Sequence, residues 1–372
     1  MRARPNEPGS PDPDPFAPVS SRRGSWVGGP GFIFLILILL IGAGAAIYLE
    51  ATGELGRLLA QGGEMIELGS TPAPNPDAAP ATNEASLQSM TAMDADKPAE
   101  PVKPLVLTPM DAKELIEKRP PPRSLRLQPG EFDLPPVKRF ARPALFLGDK
   151  PRIGVLVVGL GLNRGVTAAA IADLPPEISL SFSPYAADLA AWVDAAHAYG
   201  HEVLIDLPLE PRNYPQDDPG PLGLLTALNK DENLRRLGEL LKETDGVAGV
   251  ATQYGDRFMA DSASVRPILS EIGQRGLGFV VASPMPGVDA IAQTMADAPL
   301  IATVDRQLPQ DASRQALTDE IGALLVAARR DGKAFATVPS YPLSLAALTT
   351  LAAAAKDRGM VLVPASAFFK QD

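Results

Sequence analysis

The run PRIGVLVVGLGLNRGVTAAAIADLPPEISLSF (residues 151–182) decides how this chain folds. An unbroken apolar segment, IGVLVV (153–158), breaks into glycines, an alanine-rich stretch follows, and a second strand-like segment arrives at EISLSF (177–182). Strand, turn, helix and strand in about thirty residues is the signature of a βαβ unit with parallel strands. Six more such segments follow: EVLIDL (202–207), GVAGVA (246–251), LGFVVA (277–282), PLIATV (299–304), KAFATV (333–338) and MVLVPA (360–365). Amphipathic stretches such as DENLRRLGELLKET (231–244) and RQALTDEIGALLVAARR (314–330) lie between them. Near-continuous apolar strands belong to sheets covered on both faces or closed into a barrel. The expected fold is therefore α/β, a distorted or incomplete β/α barrel, with an open doubly wound sheet as the alternative. In either, chemistry sits at the C-terminal ends of the strands.

Upstream of residue 151 the composition changes. Residues 1–23 are rich in Pro, Ser and Asp and read as a disordered tail. Residues 24–49 (GSWVGGPGFIFLILILLIGAGAAIYL) carry no charge, and 32–49 is long and apolar enough to cross a bilayer core. Arg22 and Arg23 precede this run, and Glu50, Glu54, Glu64 and Glu67 follow it. The positive-inside rule then leaves the tail in the cytoplasm and exports the rest, an uncleaved single-pass anchor in a bacterial inner membrane with a periplasmic domain. A cleaved signal peptide is the competing reading, opposed by the length of the core and the preceding tail. From 71 to 150 there are 15 prolines. Residues 50–150 read as a Pro/Ala-rich spacer, with short helical turns expected only at MDAKELIEKR (110–119), and the folded domain as 151–372.

Composition removes several functions. A formal net charge of −10 argues against nucleic acid as the partner. Cys 0 excludes disulfides, thiolate metal sites and a thiol nucleophile. Among the His 2, His197 and His201 stand four apart, as metal ligands on one helix face would, but Gly200 reads as a helix C-cap that separates them. His201 then reads as a structural hydrogen-bonding group. The glycines of VVGLGLNRG (157–165) mimic a dinucleotide turn, yet SLSFSPYAAD (179–188) brings no acid to the end of the second strand to hold a ribose.

Asp206 and Glu210, in IDLPLEP (205–211), lie at a strand's C-terminal end, where carboxylates could hold a metal or a sugar hydroxyl or act as acid and base. The alternative is that Glu210 binds loop N–H groups while Asp206 pairs with Arg257 or Arg306. Tyr214 and the acids of RNYPQDDPGPLGL (212–224), Tyr254 and Arg257 of TQYGDRF (252–258), and Asp305 of VDR (304–306) put further polar groups on the same expected face.

Five stretches, GHEVLIDLPLEPRNYPQDDPGPLGLLTALNKDENLRRL (200–237), TQYGDRF (252–258), RGLGFVVASP (275–284), YPLSLAAL (341–348) and GMVLVPASA (359–367), resemble the bacterial divergent polysaccharide deacetylase family. The resemblance spans 151–370. It implies a distorted β/α barrel of the glycoside hydrolase and deacetylase type, working on cell-wall or surface polysaccharide. Carbohydrate deacetylases hydrolyse an acetamide C–N bond with metal-activated water, an Asp base and His/Asp ligands. Here Val158 and Gly159 stand where the family's Asp-Asp pair is expected, and Val281 and Ala282 where a later acid is expected. Neither an aliphatic side chain nor glycine binds a cation or takes a proton. The remaining catalytic candidates are Asp206, Glu210 and Asp305, with His201, Glu202, Tyr214, Tyr254 and Arg257 as substrate contacts. No metal or other cofactor is expected unless those carboxylates converge into a substitute site for an ion such as zinc. The implied partners are glycan or peptidoglycan and cell-wall or division proteins. The two functions in competition are a silent glycan- or partner-binding domain and an active deacetylase with a non-standard carboxylate site.

Overall fold

The computed structural model describes residues 105–370 apart from 145–147, 243–244, 253, 282–287 and 311. The expected tail, the expected anchor at 24–49 and the first half of the expected spacer lie outside the described residues. Among the described residues no helix is long and apolar enough to cross a membrane.

Helices α1 (Ala112–Lys118) and α2 (Pro136–Arg139) lead into β1 (Arg152–Leu160). Alternation follows through α3 (Arg164–Asp173), β2 (Ser179–Phe182), α4 (Leu189–Ala198), β3 (Val203–Leu207), α5 (Lys230–Leu240) and β4 (Gly249–Thr252). Next come α6 (Asp256–Ala260), α7 (Ser262–Gln274), β5 (Gly278–Val281), α8 (Val288–Ala292), β6 (Ile301–Thr303) and β7 (Arg306–Gln307). The chain ends with α9 (Arg314–Asp331), β8 (Lys333–Pro339), α10 (Pro342–Asp357) and β9 (Val361–Val363). Each of the eight expected strand segments overlaps one of these strands.

The helix ends obey local chemistry. Asn163, Asn229, Asp261 and Ser313 each accept a first-turn backbone N–H at the starts of α3, α5, α7 and α9. Gly332, with φ 73, turns the chain out of α9.

All strand pairs are parallel, in the order β6-β5-β4-β3-β2-β1-β8-β7, and β9 pairs with β1 off this path. The two ends of that order are neighbours in sequence. Residues 301–303 pair with β5, and 306–307, a few residues on, pair with β8. Between them Val304 N–H donates to Val281 O (3.1 Å) and Asp305 N–H to Phe335 O (2.8 Å), so one kinked segment closes the sheet into a distorted barrel.

Period-two alternation sorts the strand residues. Val155, Val157, Val203, Ile205, Ala334 and Ala336 pack outward in the large core beneath the helices. Leu156, Val158, Leu204, Ala251, Val280, Ala302 and Phe335 form a second, interior cluster with Phe368 and Phe369. The C-terminal turn Ala365–Phe368 thus plugs the N-terminal end of the barrel, with Phe368 stacked on Phe335 at 4.7 Å between centroids. Gly154 is what admits the plug, since a Cβ there would overlap the Phe368 ring.

The spacer expected over 50–150 needs correction at its C-terminal end. Met110, Ala112, Leu115, Leu127 and Val137 are buried in the domain. Leu127 N–H donates to His197 O and Val137 N–H to Gly276 O, both at 2.9 Å, while the Tyr199 hydroxyl donates to Arg119 O. The proline content rules out a core of the segment's own, but single apolar residues can still enter grooves of a domain already built. Residues upstream of 151 therefore pack as part of the folded unit.

Candidate functional site

The C-terminal ends of β1, β2 and β3 open onto a cleft of about 650 Å³, lined among others by Gly159, Ser183, Tyr185, Asp206, Pro208, Tyr254 and the 217–219 and 307–310 segments. Asp206 follows Leu204 on the inward face of β3, one layer nearer the mouth. It is only 6 % exposed. Its Oδ2 accepts the Gly159 N–H (2.8 Å) and its Oδ1 accepts the Ser181 hydroxyl (2.5 Å). Burial pushes its carboxyl up to about 6, against the opposing pull of those two donors. An ionised carboxylate offers about four acceptor positions, so half of its capacity is left toward the cleft. Neither Arg257 nor Arg306 pairs with it.

The glycine turn beside Asp206 is built for the barrel. Gly161 has φ +94, and a Cβ there would overlap Ala186. Its N–H is taken by the Thr167 hydroxyl (2.9 Å), and the Val166 N–H by Asn163 Oδ1 (3.1 Å). Two of the amides that a pyrophosphate could use in this turn are thus already bonded within the chain.

Glu210 lies outside the cleft lining. It is buried; its Oε2 accepts the Thr226 N–H (2.6 Å) and hydroxyl (2.7 Å), and its Oε1 pairs with Arg257 Nε (3.2 Å). This clamp fixes the base of the loop 211–223, which is closed by Glu210 N–H to Leu224 O (2.9 Å) and Leu224 N–H to Pro208 O (2.8 Å). The loop-bracing alternative for Glu210 describes this geometry, and Arg257 serves the same brace. Above the clamp, the Tyr185 hydroxyl donates to Pro219 O (3.1 Å) and accepts from Leu222 N–H (3.2 Å), holding the acidic tip, Asp217 and Asp218, along the cleft.

Asp305, a catalytic candidate in the sequence, does not line the cleft. Its Oδ2 accepts the Phe335 N–H (2.8 Å) and its own N–H donates to Phe335 O (2.8 Å), so it brackets one residue of β8 where the barrel closes. His201 and Glu202 are corrected as substrate contacts, because both are fully buried at the N-terminal end of β3, away from the cleft. The ring nitrogens of His201 face Ile178 O (2.8 Å) and Ile171 O (3.0 Å), and burial lowers its pKa despite those carbonyls. Glu202 accepts from Ser179 Oγ, Arg142 N–H and Ser366 N–H, each at 3.0 Å, tying the C-terminal plug to the barrel, and burial raises its pKa. Tyr214 is half-buried in the loop and does not line the cleft. Tyr254 does line it, with 46 % exposure.

Sequence reasoning passed over Ser181, Ser183 and Tyr185. The signal was present: in SLSFS (179–183) serines alternate with Leu180 and Phe182, and polar residues at every second position of a buried strand must face a polar interior.

A divalent cation does not fit the residues present. Val158 is buried in the interior cluster, Gly159 offers only backbone, and Val281 is aliphatic. Ala282 lies outside the described residues. Among the described residues no three His, Cys, Asp or Glu side chains gather in a way that would hold a metal.

The family model for divergent polysaccharide deacetylases matches residues 155–369. The crystal structure of an uncharacterized protein from Agrobacterium tumefaciens C58 is similar, at 31% identity and TM-score 0.60, over 65% of this chain and 98% of that one. A protein with a proposed role in cellobiose-phosphate cleavage, from Enterococcus faecalis V583, aligns at 12% identity and TM-score 0.42, over 59% of this chain and 100% of that one. No curated protein matches the chain.

Proposed function

This chain belongs to the divergent polysaccharide deacetylase family, and on that premise we propose that its domain binds glycan at the strand-end cleft without metal-dependent hydrolysis. The observation that carries this reading is the single carboxylate on the cleft floor. Asp206 stands there alone; Glu210 braces the loop, Asp305 bonds to β8, and neither lines the cleft. The exposed rings of Tyr185 and Tyr254 border the same opening, as suits stacking on the apolar faces of pyranose rings. The N-terminal segment 24–49 holds the domain at the bacterial inner membrane, facing the periplasm. Its ligand there is cell-wall or surface polysaccharide, and proteins of wall synthesis or division are the partners a tethered glycan reader would meet.

A second reading, an acetamide hydrolase without the family's metal site, draws on the pKa of Asp206 near 6. That value suits a group exchanging a proton close to neutrality. Calorimetric titration of the full chain with Zn²⁺, followed by elemental analysis, separates the binder from a metal hydrolase. The proposal predicts no stoichiometric metal. One tightly held ion per chain, lost on Asp206→Asn, would overturn it.

A further inference from the structure

The charge pattern of the cleft specifies more than a sugar. Its described lining contains Asp206, Asp217 and Asp218 and no Lys, Arg or His. The deepest of the three is buried, and its acceptor capacity is half filled by Gly159 N–H and Ser181 Oγ. The other two stand on the exposed loop tip, where Asp217 accepts from Asn213 Nδ2 (2.5 Å) and Asp218 from Gly220 N–H (2.9 Å). Those bonds hold the carboxylates in place without neutralising them. The acids line one opening together with apolar side chains, and among the described residues no three His, Cys, Asp or Glu side chains gather to hold a metal, so they suit charged groups carried on a larger ligand better than a single ion. Tyr185, Tyr254 and the 66 % exposed Leu162 supply apolar contact along the same opening.

Resting on the glycan reading above, the geometry points to an oligosaccharide of amino sugars with free, protonated amines as the ligand, that is, de-N-acetylated glycan and not the N-acetylated or acidic form. An ammonium group at Asp206 meets a carboxylate shielded from water, where opposite charges attract most strongly. A uronate or phosphate would instead face like charge with no cation in the lining to offset it. The acetyl group of an N-acetyl sugar removes the charge that the cleft matches.

The test is equilibrium titration of the full chain with glucosamine tetramer, N-acetylglucosamine tetramer, oligogalacturonate of equal length, and spermine as an amine without sugar rings. The glucosamine tetramer binds about tenfold more tightly than the N-acetylated one, a difference of about 1.4 kcal/mol. That advantage shrinks at raised salt, and spermine and oligogalacturonate bind more weakly still. Asp206→Asn abolishes the preference. The exposed double variant D217N/D218N, which leaves the barrel interior untouched, reduces it. Equal or tighter binding of the N-acetylated tetramer, or equal binding of spermine, overturns the amine specificity; the first of these leaves the glycan reading standing. Binding of none of the saccharides overturns both.

Discussion

Asp206 is an anion held where burial disfavours anions, and its two donors, Gly159 N–H and Ser181 Oγ, keep it ordered without bringing its pKa back to the ordinary 3.8. With the folded pKa raised to about 6, the protonated form is favoured by folding, so this group's stabilising contribution is complete below pH 3.8 and lost as pH rises through 6. The loss is about 3 kcal/mol by pH 7. Asp206→Asn is expected to raise the melting temperature at pH 7.5 by several degrees, since the amide can accept from Gly159 and donate to Ser181; differential scanning calorimetry of the two proteins checks it. His197 works in the opposite sense. Burial lowers its pKa to about 4, so its contribution is present above 6.5 and lost as pH falls through 4. The two slopes oppose one another between pH 4 and 6, and the stability of the Asp206→Asn protein should therefore rise more steeply with pH across that interval than that of the parent. At the other end of the strand, His201→Ala removes the ring whose nitrogens face Ile178 O and Ile171 O, leaves the carbonyl that takes its N–H without that partner, and opens a cavity. A cost of about 3 kcal/mol is expected in chemical denaturation. These residue roles were only partly legible in the sequence. IDLPLEP gives two carboxylates at a strand end, but nothing in a one-dimensional pattern tells which faces the interior and which turns back to bind Thr226.

At the scale of elements, the strands were readable because each is a short apolar run between turn residues, and parallel strands buried on both faces leave that trace. In the segment 105–142 the helical turns at 110–119 were readable and form α1, but their docking was not, because residues such as Leu115 and Leu127 are buried singly between prolines and the rest of the segment shows neither helical nor strand periodicity. Its contribution has a direct check. A chain beginning at residue 105 should keep the melting temperature of the full protein, whereas one beginning at 151 should lose stability or fail to express. Leu115→Ala in the full chain should cost about 3 kcal/mol, the usual penalty for emptying a fully buried leucine site. Equal melting temperatures for the two truncations would show that the segment merely lies on the surface. The short β6–β7 kink also escaped the sequence reading. Two residues of strand carry no periodic signal, and the role of Asp305 as the fastener of that closure depends on a partner 30 residues away, Phe335.

For the whole molecule, a parallel β/α sheet of the family carries a strand-end cleft with tyrosines at its border, and among the described residues no three His, Cys, Asp or Glu side chains gather to hold a metal. Recognition of sugar needs only such a cleft; metal-assisted hydrolysis needs such a gathering. The net charge of −10 acts in the same direction as the cleft's acids, repelling acidic polymers at long range and favouring cationic ones. The central claim is binding without cleavage, and it is tested most directly by following both on one sample. The full chain is incubated with acetyl-labelled, partly de-N-acetylated chito-oligosaccharide and excess Zn²⁺, and glycan retained on the protein and acetate set free are measured together. The account predicts retained glycan, diminished by Asp206→Asn, and acetate release no faster than without protein. Acetate release that depends on the chain and disappears with Asp206→Asn would contradict it.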